Sequence, residues 1–335
     1  MRPPELPHNR DDDALRARAL VVDAHSHLFP TAWEGGGHMP SDMFNISALL
    51  ERQQASGVDV STISDPHIWY GDLDVTSIDR TREYNDWVAT LARDHPDKIV
   101  GLGSVTPWLG ASHVAEAERA IRELRLPGLA IATSDHGRYL DSIPESFWEL
   151  VEAFDIPLFI HPGGTVVGQE AMEAYRLGEV CGRPLDTTLS LSRLILTGTF
   201  ERHRNVRMLC AHAGGAICAI ADRLDFGHEL RGYKPLGPWG PVELSEPPTT
   251  FVRRLYLDTV TYGVKPLRLA VDTVGPANVC YGSDNPPVPF ALSRTMGIVR
   301  SLGLDGAATN QILGGNALSL WRLGDTRGAP TGDGQ

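Results

Sequence analysis

The chain has 335 residues, 42% hydrophobic and 21% charged, which is the composition of a packed globular protein with one large α/β barrel or two ordinary domains. A net charge of −12 argues against a nucleic-acid partner and supplies no basic face for a membrane surface. No apolar run approaches the ~20 residues of a membrane span, and four cysteines without a C-x-x-C pair favour a reducing, cytoplasmic location.

Short apolar, β-branched runs recur along the chain and alternate with amphipathic segments. Eight runs are predicted as strands, at 19–27, 58–65, 98–105, 128–134, 156–162, 206–212, 255–260 and 278–284. Helices are predicted between them at 45–57, 82–96, 111–128, 144–155 and 187–203. This alternation indicates a parallel (β/α)8 barrel. A doubly wound open sheet is the alternative, but the turn after the first strand, HSHLFP, lacks the glycine-rich pattern that such sheets usually carry.

The domain organisation follows from these elements. We expect a single domain at 19–323, with long loops inserted near 29–44 and 232–248. Residues 1–18 are expected to be a lead-in, since they contain no apolar core of a signal peptide. Residues 324–335 are expected to be a disordered tail.

Polar side chains end several predicted strands, where the functional groups of a parallel barrel lie. His25 and His27 end the first strand on a shared face, because residues i and i+2 point the same way. His161 ends the fifth strand, His212 the sixth and Asp284 the eighth. A lone histidine at such a position is more often a hydrogen-bonded core residue. The joint pattern predicts instead a site for one divalent metal, with His212 left as an acid or base.

Other histidines carry weaker signals. His38 and His67 fall in predicted loops on the catalytic side of the barrel and are candidate substrate contacts. His8, His113 and His203 lie in polar surroundings and are expected to be solvated.

The pattern resembles the amidohydrolase superfamily, and within it the group of α-amino-β-carboxymuconate-ε-semialdehyde, γ-resorcylate and 5-carboxyvanillate decarboxylases. The likeness covers roughly residues 20–323 and includes VDAHSHLFP, DKIVGLGSV, LPGLAIATS, PLFIHPGG, YGSDNPP and ILGGNALSLWRL. It implies a distorted (β/α)8 TIM barrel, with one divalent metal ion held by His25, His27, His161 and Asp284. It also implies that His212 is the acid/base beside a metal-bound water. Zinc is the favoured ion. Manganese is the alternative, because imidazole and carboxylate ligands suit both.

The resemblance also implies a homodimer. Arg223 matches an arginine that, in the muconate-semialdehyde enzyme, reaches the neighbouring subunit's site and binds a substrate carboxylate. This chain departs from that enzyme elsewhere: GGGHMPSDMF lacks a second arginine, HPGG replaces a tryptophan-bearing turn, and SDNPP stands where Asp-Tyr-Pro is usual. We therefore do not expect that enzyme's dicarboxylate to be the substrate.

These observations predict a metal-dependent, non-oxidative decarboxylase of a small unsaturated or aromatic carboxylic acid, in which His212 moves protons and Asp284 shares that task. A metal-dependent hydrolase of an amide, lactone or C–C bond would use the same residues and is the alternative. A non-enzymatic metal-binding protein is a third possibility. The partners expected are a carboxylate substrate and a second copy of the chain, without nucleic acid or membrane.

Overall fold

The computed structural model describes residues 19–34, 40–65, 77–164 and 166–323. Parallel strands surrounded by helices form a barrel. The strands, with a short hairpin made by β6 and β7, are Val22–His27 (β1), Val60–Ser64 (β2), Ile99–Gly101 (β3), Gly103–Ser104 (β4), Leu129–Ala132 (β5), Ser134–Asp135 (β6), Arg138–Tyr139 (β7), Leu158–His161 (β8), Met208–Cys210 (β9), Tyr256–Asp258 (β10) and Val279–Cys280 (β11).

Helices lie outside the strands. The α-helices are Ile46–Ser56 (α1), Ser77–Asp94 (α2), Ala111–Arg122 (α3), Glu145–Ala153 (α4), Arg183–Leu196 (α5), Thr199–Arg202 (α6), Ile217–Glu229 (α7), Pro248–Val252 (α8), Val264–Val274 (α9), Leu292–Arg300 (α10), Gly306–Asn310 (α11) and Asn316–Leu320 (α12). None of the described helices is both long and apolar enough to cross a membrane.

The barrel strands pair in chain order. One parallel sheet runs β1–β2–β3, and a second runs β4–β5–β8–β9–β10–β11. Only Leu102 separates β3 from β4, so one bent strand belongs to both sheets. The barrel closes where the Ala24 N–H donates to the Tyr281 carbonyl at 2.8 Å. All eight predicted strands are present, and the expected distorted (β/α)8 barrel is confirmed.

Some expectations about local structure were wrong. The predicted helix at 187–203 begins earlier, at Arg183, and is interrupted by Gly198 in a left-handed conformation. His113 and His203 are buried rather than solvated. Amphipathic helices turn one face inward, and a polar neighbourhood in sequence does not reveal which face that is.

The remaining expectations concern the ends of the chain and the inserted loops. The lead-in at 1–18 and the tail at 324–335 lie outside the described residues, so the domain bounds stay a prediction. The loop near 29–44 contains short 3₁₀ turns at Thr31–Trp33 and Ser41–Phe44, and the loop near 232–248 contains one at Lys234–Leu236.

A buried carboxylate ties the first strand to the segment after the last one. Asp23 accepts hydrogen bonds from the Ser26 hydroxyl at 2.8 Å, the Ser283 hydroxyl at 2.6 Å and the Ser283 N–H at 3.0 Å. Burial, only partly offset by these bonds, raises the pKa of Asp23 to about 6. The ring of strands therefore closes through a side chain as well as through the backbone.

We predict that Asp23→Ala lowers the free energy of unfolding by about 2–4 kcal/mol, because it leaves several buried donors without an acceptor. Urea unfolding followed by circular dichroism measures the change. Asp42→Ala is the matched control: Asp42 pairs with Arg52 at 2.7 Å on the surface, where an ion pair contributes about 0–1 kcal/mol. Equal losses in the two variants would contradict a closing role for Asp23.

Candidate metal centre

Four of the predicted site residues converge at the C-terminal ends of the strands. His25 and His27 belong to β1, and His161 is the last residue of β8. Each of these histidines, together with Asp284, offers a ligand atom, and all four atoms lie within 4.8 Å of one another. All four residues are buried.

Asp284 reaches this group by a different route from the one expected. The eighth barrel strand, β11, ends at Cys280, so Asp284 lies in the loop beyond it and not at the strand end. Its backbone is left-handed, with φ of 58°, and its N–H donates to the His25 carbonyl at 2.8 Å. The loop thus continues the barrel closure and turns the carboxylate toward the histidines.

The second nitrogen of each histidine, Nδ1, faces an oxygen that can accept its proton. Nδ1 of His25 lies 2.5 Å from Oδ2 of Asp258. Nδ1 of His27 lies 3.2 Å from both the carbonyl and the hydroxyl of Ser64, and this hydroxyl can donate its own proton to the Ser26 carbonyl. Nδ1 of His161 lies 2.9 Å from the carbonyl of the following residue. These contacts assign the imidazole proton to Nδ1 in all three rings.

The assignment leaves Nε2 of each ring as a lone pair, and these lone pairs face one another. Nε2 of His25 and Nε2 of His27 are 3.0 Å apart, and Oδ1 of Asp284 lies 3.4 Å and 3.2 Å from them. Lone pairs and a carboxylate at these distances repel unless a cation lies between them. The donor set therefore fits a divalent ion of the kind that imidazole and carboxylate bind.

The protonation of the group agrees with this interpretation. Burial lowers the pKa of His27 and, more strongly, of His161, which keeps both rings neutral and able to act as ligands. Burial also lowers the pKa of His25, but Asp284 and Asp258 outweigh it and raise that pKa to about 10. Without a metal ion, Nε2 of His25 therefore carries a proton, which must leave when a metal binds. Burial raises the pKa of Asp284, yet the neighbouring histidines hold it well below its usual value. The site favours a positive charge at its centre.

Asp258 is a site residue that sequence reasoning missed. It is the last residue of β10 and is fully buried. Besides the His25 ring, it accepts hydrogen bonds from the backbone N–H groups of His212 at 3.0 Å, Ala213 at 2.8 Å and Val260 at 3.0 Å. A carboxylate within the otherwise apolar run LYLDTV was the available signal, since an unpaired charge there would be costly.

His212 lies beside the four convergent side chains. It is in a left-handed turn after β9, with φ of 54°, and its Nε2 is 3.3 Å from Oδ2 of Asp284. Its Nδ1 is buried and has no hydrogen-bond partner among the described residues. The turn ends at Gly215, where a Cβ would come within 2.2 Å of the Pro184 carbonyl, so only glycine fits. His212 is thus held next to a carboxylate in a position suited to proton transfer.

His27, His161, His212 and Asp284 line a cavity of about 1080 Å³. Its walls are largely apolar and also carry charged side chains from the segments that follow β8 and β11. The residues that line it include His27, His161, Arg176, Glu179, Val180, Arg183, Pro184, His212, Tyr262, Asp284, Phe290 and Arg294.

Of the three predicted substrate contacts, only Arg223 lies among the described residues. His38 and His67 lie outside the described residues. Arg223 lies on α7, is exposed to solvent and does not line the cavity of its own chain.

Comparison with known proteins identifies a family. The family model described as amidohydrolase matches residues 22–323. A curated relative, the 2-amino-3-carboxymuconate-6-semialdehyde decarboxylase of Dictyostelium discoideum, is 25% identical over 91% of this chain and 92% of its own.

Solved structures share the fold. The 5-carboxyvanillate decarboxylase of Sphingomonas paucimobilis superposes with a TM-score of 0.80 at 22% identity, over 91% of this chain and 99% of its own. A 5-carboxyvanillate decarboxylase of Novosphingobium aromaticivorans, complexed with manganese and 4-hydroxy-3-methoxy-5-nitrobenzoic acid, superposes with a TM-score of 0.76 at 19% identity, over 90% of this chain and 96% of its own.

We predict that chelator-treated protein takes up one equivalent of Zn²⁺ or Mn²⁺, and that the double variant His25→Ala/His27→Ala takes up none, because two ligand side chains are gone. Asp258→Asn should retain the ligands but weaken metal binding about 10–100-fold, the usual effect of losing a partner that orients a ligand. Elemental analysis after gel filtration, with competition against a chelator, measures both effects.

His113→Gln is the control, since His113 is a buried histidine outside the convergent group and its loss should leave metal uptake unchanged. Full metal occupancy in the double variant would contradict the assignment of the site.

Proposed function

We propose that this chain, which belongs to the amidohydrolase family, is a metal-dependent, non-oxidative decarboxylase. Its substrate would be a small aromatic or unsaturated carboxylic acid. The observation that carries the proposal is the convergence of three imidazole rings and Asp284, with His212 beside them, on a largely apolar cavity. The relatives and solved structures named above are themselves decarboxylases of such acids.

We propose His25, His27, His161 and Asp284 as the ligands of one divalent ion. We favour zinc, and the manganese in the Novosphingobium enzyme supports manganese as the alternative. Such an ion would supply Lewis-acid chemistry, polarising substrate oxygen atoms. The chain itself would hold three Nε2 atoms and one carboxylate in place. The oxygens that accept from Nδ1 orient the three rings.

Proton transfer falls to His212, with Asp284 sharing the task. Decarboxylation breaks the bond between the carboxyl carbon and its neighbour, and the electron pair stays on the neighbour, delocalised into the unsaturated system. CO₂ leaves and that carbon takes a proton. His212 Nε2 and Asp284 Oδ2, 3.3 Å apart, can pass a proton between them before one of them donates it.

The experiment is turnover of the metal-loaded protein with 2,6-dihydroxybenzoate, 5-carboxyvanillate and 2-amino-3-carboxymuconate-6-semialdehyde. We expect CO₂ release without nicotinamide or oxygen. In D₂O, one deuterium should appear on the carbon that lost the carboxylate. His212→Asn should keep its metal while kcat falls about 10²–10⁴-fold, the range for losing a general acid or base.

A hydrolase would instead incorporate oxygen from H₂¹⁸O into a new acid or alcohol. Such a product with no CO₂ would refute decarboxylation while leaving the metal site intact. Loss of metal from a folded His212→Asn variant would show that His212 is a ligand.

We also propose a homodimer in which Arg223 completes the partner's cavity. Arg223 lies on the exposed side of α7 near Phe226, and Leu230 follows the end of the helix; these two apolar side chains are 51% and 36% exposed. In a dimer, a second chain could cover them. An arginine beside them would enter an interface with its charge available for a carboxylate.

Mixed dimers test this arrangement. We predict that Arg223→Ala and His212→Asn, each with little activity alone, regain activity when their subunits are exchanged, because one of the two sites in a mixed dimer then has neither defect. The measurement is turnover after mixing, with subunit exchange checked by mass spectrometry of differently tagged chains. Exchange without any recovered activity would exclude a role for Arg223 across the interface.

The substrate contacts proposed for His38 and His67, and the cytoplasmic location, stay predictions.

A further inference from the structure

We propose that Arg183 binds an anionic group that stays on the substrate while another carboxylate leaves as CO₂, so that the preferred substrate is an acid with a second carboxylate. This inference rests on the proposed function, whose substrate class it narrows. It starts from the residues of the cavity wall.

Arg183 lies at the junction of a π-helix and an α-helix. It is the first residue of α5 and directly follows a five-residue π-helix, Gly178–Gly182. Such segments are rare and frequently occur at functional sites. Arg183 and Glu179 both line the large cavity and also a smaller neighbouring one of about 190 Å³. The two side chains therefore lie on a wall that both cavities share.

The charges of the large cavity favour an anion. Its lining contains three arginines, Arg176, Arg183 and Arg294, and two carboxylates, Glu179 and Asp284. A divalent ion at the metal centre would add two positive charges and engage Asp284. The cavity would then keep a surplus of positive charge that an anionic substrate can neutralise.

Among the three arginines, Arg183 is the most enclosed. Its side chain is 12% exposed, whereas Arg176 and Arg294 are exposed, and the Arg294 guanidinium lies over the Phe290 ring, 4.0 Å from its centre. Charge pairs are stronger where water is excluded. Burial lowers the pKa of Arg183 to about 10 despite the attraction of Asp284. An anion from the substrate would offset that cost.

Glu179 now occupies the place that such an anion would take. Its Oε2 accepts from Nε of Arg183 at 2.5 Å, and its Oε1 from an Nη2 N–H at 3.0 Å. This two-point contact is the geometry in which a guanidinium binds a carboxylate. The Glu179 side chain is 62% exposed, so water can solvate it when a substrate displaces it.

The bound group should be one that persists through the reaction. Loss of CO₂ removes a negative charge from the leaving carboxylate, so an arginine on that group would stabilise the substrate more than the transition state and slow the reaction. An arginine on a second anionic group holds the molecule equally well throughout. The apolar wall, with Val180 and Pro184 near Arg183 in the chain, suits the hydrocarbon part between the two groups.

The test is direct binding to the metal-loaded protein by isothermal titration calorimetry, with benzoate and benzene-1,3-dicarboxylate as probes that differ by one carboxylate. We expect the wild type to bind the dicarboxylate about 10–100-fold more tightly, the effect of one charge-assisted, two-point contact. Arg183→Met should remove this advantage and leave benzoate binding within about twofold. Arg183→Lys, which keeps the charge but loses the planar fork, should fall between them.

Glu179→Gln is the matched control with the opposite sign: it removes the competing carboxylate and should tighten dicarboxylate binding. Arg294→Met, a second arginine of the same cavity, should change it little. Equal losses for both probes in Arg183→Met, or no preference for the dicarboxylate in the wild type, would overturn the proposal. If the Arg183 variants fail to fold, unchanged dicarboxylate binding in Glu179→Gln overturns it. A preference that depends on Arg183, without CO₂ release from any acid, would uphold the binding role and refute the decarboxylase function.

Discussion

The direction of the imidazole protons governs the centre of this protein. Because Nδ1 of His25, His27 and His161 faces an oxygen that can accept its proton, each ring presents Nε2 to the same small volume. Asp284 adds a carboxylate to that volume. The folded chain therefore holds together groups that repel one another until a cation joins them. This pre-assembled donor set is the reason for proposing that a divalent ion binds here.

Buried carboxylates between the strands make this arrangement possible. Asp258 links the His25 ring to the turn that carries His212, and Asp23 links the first strand to the segment that carries Asp284. Each carboxylate accepts several hydrogen bonds, which offset part of the cost of its removal from water. The same contacts that close the barrel thus orient the proposed metal ligands and the proposed acid/base residue, so stability and the proposed chemistry depend on shared side chains.

The cavity adds specificity to a centre that many reactions could use. Its apolar walls suit a hydrocarbon skeleton, and we propose that its arginines select for an anionic group. The arginines of this cavity, Arg176, Arg183 and Arg294, lie in the segments after β8 and β11. Family members can in this way keep one metal chemistry and change the acid they accept, because loops vary independently of the strands.

The sequence by itself determined the barrel and most of the centre. Buried strands and amphipathic helices have distinct periodicities, and a histidine at a strand end points to a known edge of a parallel barrel. The closing loop that carries Asp284, the role of Asp258 and the enclosure of Arg183 were decided only by the tertiary structure. Asp258 is 233 residues from His25 in sequence, and no local pattern records such a contact. Burial of Arg183 depends likewise on how a helix is set against the barrel, a property of packed elements that a run of residues does not encode.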